Sequence, residues 1–154
     1  MKIVKKIINF TIYILIRLKI LKLPKKSLRV LMFHDIDNFN DFKKQIYTLK
    51  KNWKFIKPED LIKISTGKKK IKGRLLLLTF DDAFKSNLYV AEKILKKYKI
   101  KAIFFIPFQF VLLKNKIDKK KFIKNNLKLG DFNNFKTSMN IYDLKKILRL
   151  NHYI

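Results

Sequence analysis

The chain has 154 residues, 38 Lys and Arg against 11 Asp and Glu, a formal net charge of +27 and no Cys. A hydrophobic share of 48% supplies enough apolar surface for a core and excludes intrinsic disorder. The absence of Cys excludes a disulfide scaffold, a thiolate metal site and a thiol nucleophile. The charge by itself suggests an anionic partner: nucleic acid, phospholipid or an anionic glycan. Arg, however, stands only at positions 17, 29, 74 and 149, whereas nucleic-acid surfaces enrich Arg for its bidentate grip on phosphate and guanine. Lys, Ile, Asn and Phe are abundant and Gly, Pro, Ala and Arg scarce, which is the bias of an AT-rich genome. Nucleic acid is therefore not the expected partner.

In chain order, Lys2, Lys5 and Lys6 precede a charge-free run from Ile7 to Ile16, and Arg17 and Lys19 follow. Ten apolar residues are too few to cross a bilayer, which takes ~20. The pattern is that of a signal peptide without a small-x-small cleavage site. Residues 1–26 are expected to form a basic-apolar helix, lying either in an anionic membrane interface or on the surface of the domain in 27–154. Localisation thus stays open between membrane or cell envelope and cytoplasm. Leu28–Phe33 reads as a buried strand. Phe42, Ile46, Leu49 and Trp53 recur at helical spacing, so Asp41–Asn52 is predicted helical. Pro58, followed by Glu59 and Asp60, suits the start of a short helix that ends near Gly67. Lys68–Lys72 follows as a solvated basic loop. Leu75–Phe80 is a second buried strand, and Leu88, Ala91, Leu95 and Tyr98 mark the apolar stripe of the next helix. Ala102–Ile106 is a third strand, stopped by Pro107. Asp118–Leu127 is predicted helical. Asn140 caps a last helix with Asp143 at its third position, and Tyr153–Ile154 begins a fourth strand. Alternation of this kind indicates an α/β fold with a parallel sheet, whose strands are buried on both faces.

Two places carry chemistry. In Leu75–Phe84, Asp81 and Asp82 stand where a very apolar strand ends, the end at which parallel α/β folds bind ligands. Adjacent carboxylates repel unless a cation neutralises them. One Asp can then ligate a divalent metal while the other serves as a general base. The alternative is that both merely cap the helix starting near Phe84. The second place is Leu31–Asp37, where His34 and Asp35 follow another strand and would face the same mouth. His34 is either a metal or substrate ligand or simply solvated.

Thr79-Phe80-Asp81-Asp82 after an apolar run resembles the first motif of the polysaccharide deacetylases (NodB-homology domain). Leu31–His34 is similar to that family's L-x-Y-H opening. Phe42–Leu61, Ala91–Ile106 and Asp143–Ile154 are similar, in order, to its later stretches. Ala83 and Asn151 stand where the family has Gly. The resemblance covers about Leu28–Ile154. It implies the first half of a partial (β/α) barrel and the hydrolysis of N-acetyl groups on a polysaccharide or cell-envelope glycan. In that chemistry Asp81 is the base that activates water and Asp82 a ligand of a divalent metal, commonly zinc. The family's His-x-x-x-His ligands would follow Ile154, and His152 matches a non-ligand His. The zinc centre is therefore expected to be incomplete within these residues, activity weak or absent, and an exposed sheet edge prone to aggregation. The competing expectation is a non-catalytic basic protein bound to anionic membrane or glycan surfaces.

Overall fold

Four consecutive leucines fit only where both faces of a strand are covered, and Leu75–Leu78 set the sheet. In the computed structural model, which describes residues 24–127 and 138–154, they belong to β3 (Arg74–Phe80). β1 (Ser27–Phe33) and β2 (Lys54–Phe55) precede it and β4 (Ala102–Phe104) follows. The strands pair in parallel. β1 runs beside β3 for its whole length, from Ser27 opposite Arg74 to Phe33 opposite Phe80. With that edge taken, the other is shared, by β2 opposite Leu75 and Leu76 and by β4 opposite Leu78 to Phe80. Leu76, Leu78 and Phe80 point into the main core, and Leu75 and Leu77 into a second cluster with Ile56. This is the two-residue period of a strand with both faces buried.

Helices make the crossovers. α1 (Phe39–Asn52) joins β1 to β2, and α2 (Pro58–Ser65) joins β2 to β3. α3, over residues 85–98, joins β3 to β4 and contains a π turn at Ala91–Leu95. α4 (Phe108–Leu112), α5 (Lys116–Asn125) and α6 (Ile141–Arg149) follow. Two helices start two residues before the expected Asp41 and Asp118, because Asn38 and Asn115 cap them from upstream; a side-chain oxygen there accepts otherwise unpaired N–H groups. α6 begins as anticipated: Asn140 and Asp143 form a reciprocal capping box, and Asp143 also accepts from Lys85 Nζ at 2.5 Å.

Several expectations need correction. Leu28–Phe33 is not a buried strand: Val30 and Met32 are 49% and 60% exposed, because among the described residues β1 has a neighbour on one edge only. β2, two residues long, is too short to leave a pattern, and α4 follows Pro107 where no helix was expected. Trp53 lies just past α1, with Arg29 stacked over its ring at 5.2 Å. The strand expected at Tyr153–Ile154 is a single parallel bridge between Tyr153 and Ile103: the Tyr153 N–H donates to Ala102 O and its carbonyl accepts from Phe104 N–H, at 3.0 and 2.8 Å. Most of the basic-apolar segment, residues 1–23, lies outside the described residues. Among the described residues no helix is long and apolar enough to cross a membrane.

Register places an aromatic row across the sheet. Phe33, Phe80 and Phe104 are paired neighbours on β1, β3 and β4, with ring centroids 5.6 and 5.0 Å apart. Phe42 of α1 meets Phe33 edge-on at 5.1 Å, and His152 meets Phe104 edge-on at 5.3 Å. His152 is 4% exposed, and its Nδ1 accepts the Ala102 N–H at 3.2 Å. Burial, reinforced by Lys101, lowers its pKa to about 4.

Two predictions follow from this packing. Lys99 ends α3 with φ of 55°, a left-handed conformation that costs a side chain about 1–2 kcal/mol. Lys99→Gly should raise the melting temperature by about 2–4 °C; Asn151→Gly, at φ 56°, should raise it less, since Asn tolerates this region. His152 is neutral in the native state, so its contribution is complete above the unfolded-state value of ~6.5 and is lost as pH falls toward 4. About 3 kcal/mol should disappear over that window. His152→Asn, which keeps an acceptor near Nδ1, should flatten that part of the denaturation-versus-pH curve.

Candidate active site

The aromatic row is the floor of a mouth. One residue beyond each Phe, the three strands deliver His34, Asp81 and Phe105 to the same edge of the sheet. The ladder runs this far, since Asp81 N–H donates to Phe33 O and Phe105 N–H to Phe80 O, both at 2.8 Å. The chain then breaks sharply. Asp82 and Ala83 both adopt positive φ, 66° and 52°, a region that non-glycine residues seldom enter and that persists where surrounding structure holds it. Three hydrogen bonds hold this turn, the last of them within an antiparallel bridge. Asp81 N–H is tied to β1, and Asp81 O accepts from Asn87 Nδ2 at 3.1 Å. Ala83 O accepts from Met139 N–H at 2.7 Å, and Phe84 bridges Ser138. Position 83, where the family pattern has Gly, is thus a position of positive φ, and so is position 151.

The turn separates the two carboxylates. Asp82 Oδ2 accepts from His34 Nδ1 at 2.7 Å; the Asp82 side chain is largely enclosed, whereas that of His34 is 48% exposed. Since a carboxylate oxygen accepts, Nδ1 carries the proton in this contact. Asp81 has a buried Oδ1 with no hydrogen-bond partner. Desolvation raises its pKa; His34 pulls it down and Asp82 pushes it up. Neither Asp caps α3: its N-cap is Phe84, with no side-chain cap, so the capping alternative fails. A hollow of about 350 Å³ opens against the pair, walled by Phe105, Ile106 and Pro107.

Asp35 stands behind His34. Its Oδ1 accepts from Ile36 N–H at 3.0 Å and from the Ser86 hydroxyl. The expected juxtaposition of His34 with Asp82 is therefore present, and Asp35 faces α3 through Ser86. Nothing in the sequence singled out Ser86 and Asn87, two polar residues in a helix turn; only the fold shows where their side chains go. Among the described residues no three His, Cys, Asp or Glu side chains converge on a point that could hold a metal. Asp82 and His34 are two donors, and a catalytic zinc takes three protein ligands. By themselves these residues do not fit such a centre.

Asp81→Asn should raise the melting temperature at neutral pH. A group whose native pKa is raised contributes most to stability below its unfolded value and loses that contribution as pH rises. The neutral amide removes the desolvated charge, and the gain should vanish in acid.

No family model and no curated protein sequence matches the chain. Solved structures do. IcaB from Ammonifex degensii superposes with a TM-score of 0.63 at 20% identity, over 87% of this chain and 53% of that one. A de-N-acetylase from Aggregatibacter actinomycetemcomitans gives 0.57 at 16% identity, over 80% and 51%. The BpsB deacetylase domain from Bordetella bronchiseptica gives 0.57 at 17%, over 84% and 54%. The chain spans about half the length of these structures. It carries a polysaccharide deacetylase-type fold.

Proposed function

We propose that residues 27–154 are the aspartate-bearing part of a glycan N-deacetylase, built as a portion of a (β/α) barrel. The observation that carries this reading is the Asp81–Asp82 pair. It leaves the central strand of a deacetylase-type fold, caps no helix, and is split by a left-handed turn into one half-buried carboxylate whose buried Oδ1 has no hydrogen-bond partner and one carboxylate bonded to His34.

The division suits amide hydrolysis. Asp81, raised in pKa by burial, is suited to take a proton from water at near-neutral pH. The oxygen of that water attacks the acetyl carbonyl carbon and a tetrahedral oxyanion forms. Its collapse breaks the C–N bond as the nitrogen takes the proton that Asp81 removed from water, which restores the Asp81 carboxylate and releases a free amine and acetate. Asp82 holds the His34 ring at the mouth, and the Phe105–Pro107 wall restricts water on one side. The proposed substrate is an acetylated polysaccharide, which favours the membrane or cell envelope over the cytoplasm as the place of work. Metal dependence belongs to the same proposal: Asp82 is the side chain offered to a divalent cation, zinc first, whose other ligands lie outside the described residues.

The test is acetate release from an N-acetylated glycan by the chain extended with the part of the fold it does not span. The extended protein should release acetate in the presence of divalent metal. Asp81→Asn should lower kcat by about 10²–10⁴-fold, and Asp82→Asn should abolish metal binding measured by calorimetry. Turnover unaffected by Asp81→Asn would refute the assignment.

A further inference from the structure

We propose that Ser86 and Asn87 are positioning residues that together set the contact between His34 and Asp82. They are adjacent in the first turn of α3 and grip different loops. The Ser86 hydroxyl donates to Asp35 Oδ1 and accepts from Ile36 N–H at 3.3 Å, which ties down the loop after β1. Asn87 Nδ2 donates to Asp81 O at 3.1 Å, which ties down the loop after β3. His34 is one residue from the first anchor and Asp82 one residue from the second.

Ser and Asn in a first helical turn ordinarily bond to the helix's own backbone. Here both side chains reach out of the helix, and no side chain caps α3. Asn87 is fully buried, and its Oδ1 has no partner. An unmade bond is unfavourable in the interior, so the amide is retained there for what its NH₂ group holds. A helical turn is rigid, and two loops hung on consecutive residues of it keep a fixed separation. The 2.7 Å between His34 Nδ1 and Asp82 Oδ2 is then set from behind. The strand register and the Met139–Ala83 bond fix the backbone of the turn; the brace adds the constraint on the two loops that carry the Asp82 side chain and the half-exposed His34 ring. Only the effect on turnover rests on the deacetylase reading; the geometry does not.

The experiment is ¹⁵N NMR of the imidazoles in the 154-residue chain at mildly alkaline pH, with His34 assigned by mutation. In the wild type His34 should be the Nδ1–H tautomer with a protected, downfield Nδ1–H signal. Ser86→Ala should lose that signal and shift the ring toward the Nε2–H form, while the melting curve stays cooperative. Ser86→Thr, which keeps Oγ, should restore it. Asp35→Ala opens the same link from the other side and decides the matter where Ser86→Ala does not fold; the double variant should change the tautomer no further. Asn87→Leu, close in shape and without the orphan oxygen, should also lose the signal. A wild-type His34 signature in folded Ser86→Ala, Asp35→Ala or Asn87→Leu overturns the brace. The readout does not depend on turnover, so absence of deacetylation would defeat the functional reading and leave this one intact.

Discussion

The structure depends on the register of β1 and β4 against β3. Once Phe33, Phe80 and Phe104 lie side by side, the strands end at one level, and His34, Asp81 and Phe105 emerge together. A slip of one residue on β1 would turn its side chains to the opposite face and carry His34 away from Asp82. The stacked rings resist such a slip, because aromatic neighbours across strands favour their own pairing. Phe42 and His152 close the two ends of the row. The same contacts that build the core therefore level the floor of the site.

On that floor stands a turn that the chain does not adopt cheaply. Two successive non-glycine residues, Asp82 and Ala83, have positive φ. The buried methyl of Ala83 packs in the main core, which offsets part of the backbone penalty. The rest is met by ties from β1, α3 and the Ser138–Met139 segment. Strain of this sort is maintained where surrounding contacts over-determine it. Its effect is to point two neighbouring carboxylates into different environments, so that one buries an oxygen with no hydrogen-bond partner while the other is hydrogen-bonded to His34.

Helix starts show how local signals and tertiary contacts combine. Asn140 and Asp143 were readable as a cap because both partners are close in sequence, and they form one. Asp143 also receives Lys85, 58 positions away, a contact that no local pattern announces. The Asp81–Asp82 pair was ambiguous for a similar reason. Asp at the end of a strand and the start of a helix is equally a cap or a site, and the choice depends on where the N–H groups of α3 point. Phe84 occupies the N-cap, which frees both carboxylates.

The sequence by itself determined the α/β alternation, the central strand and the residues of interest where strands end: His34, Asp81 and Asp82, with Asp35 next to His34. These depend on hydrophobic period and on where charge interrupts it, both properties of neighbouring residues. It also carried the resemblance to the deacetylase fold. The tertiary structure alone decided that β1 is half exposed, since burial depends on which strands are neighbours. It alone decided that the hydrogen bond to His34 goes to Asp82 while Asp81 Oδ1 is buried without one, and that Ser86 and Asn87 reach the two loops. The His34–Asp82 and Ser86–Asp35 contacts span 48 and 51 positions, and all of these contacts are made by polar groups that carry no periodic signal. Only a chain already folded on its apolar row brings them within hydrogen-bonding distance.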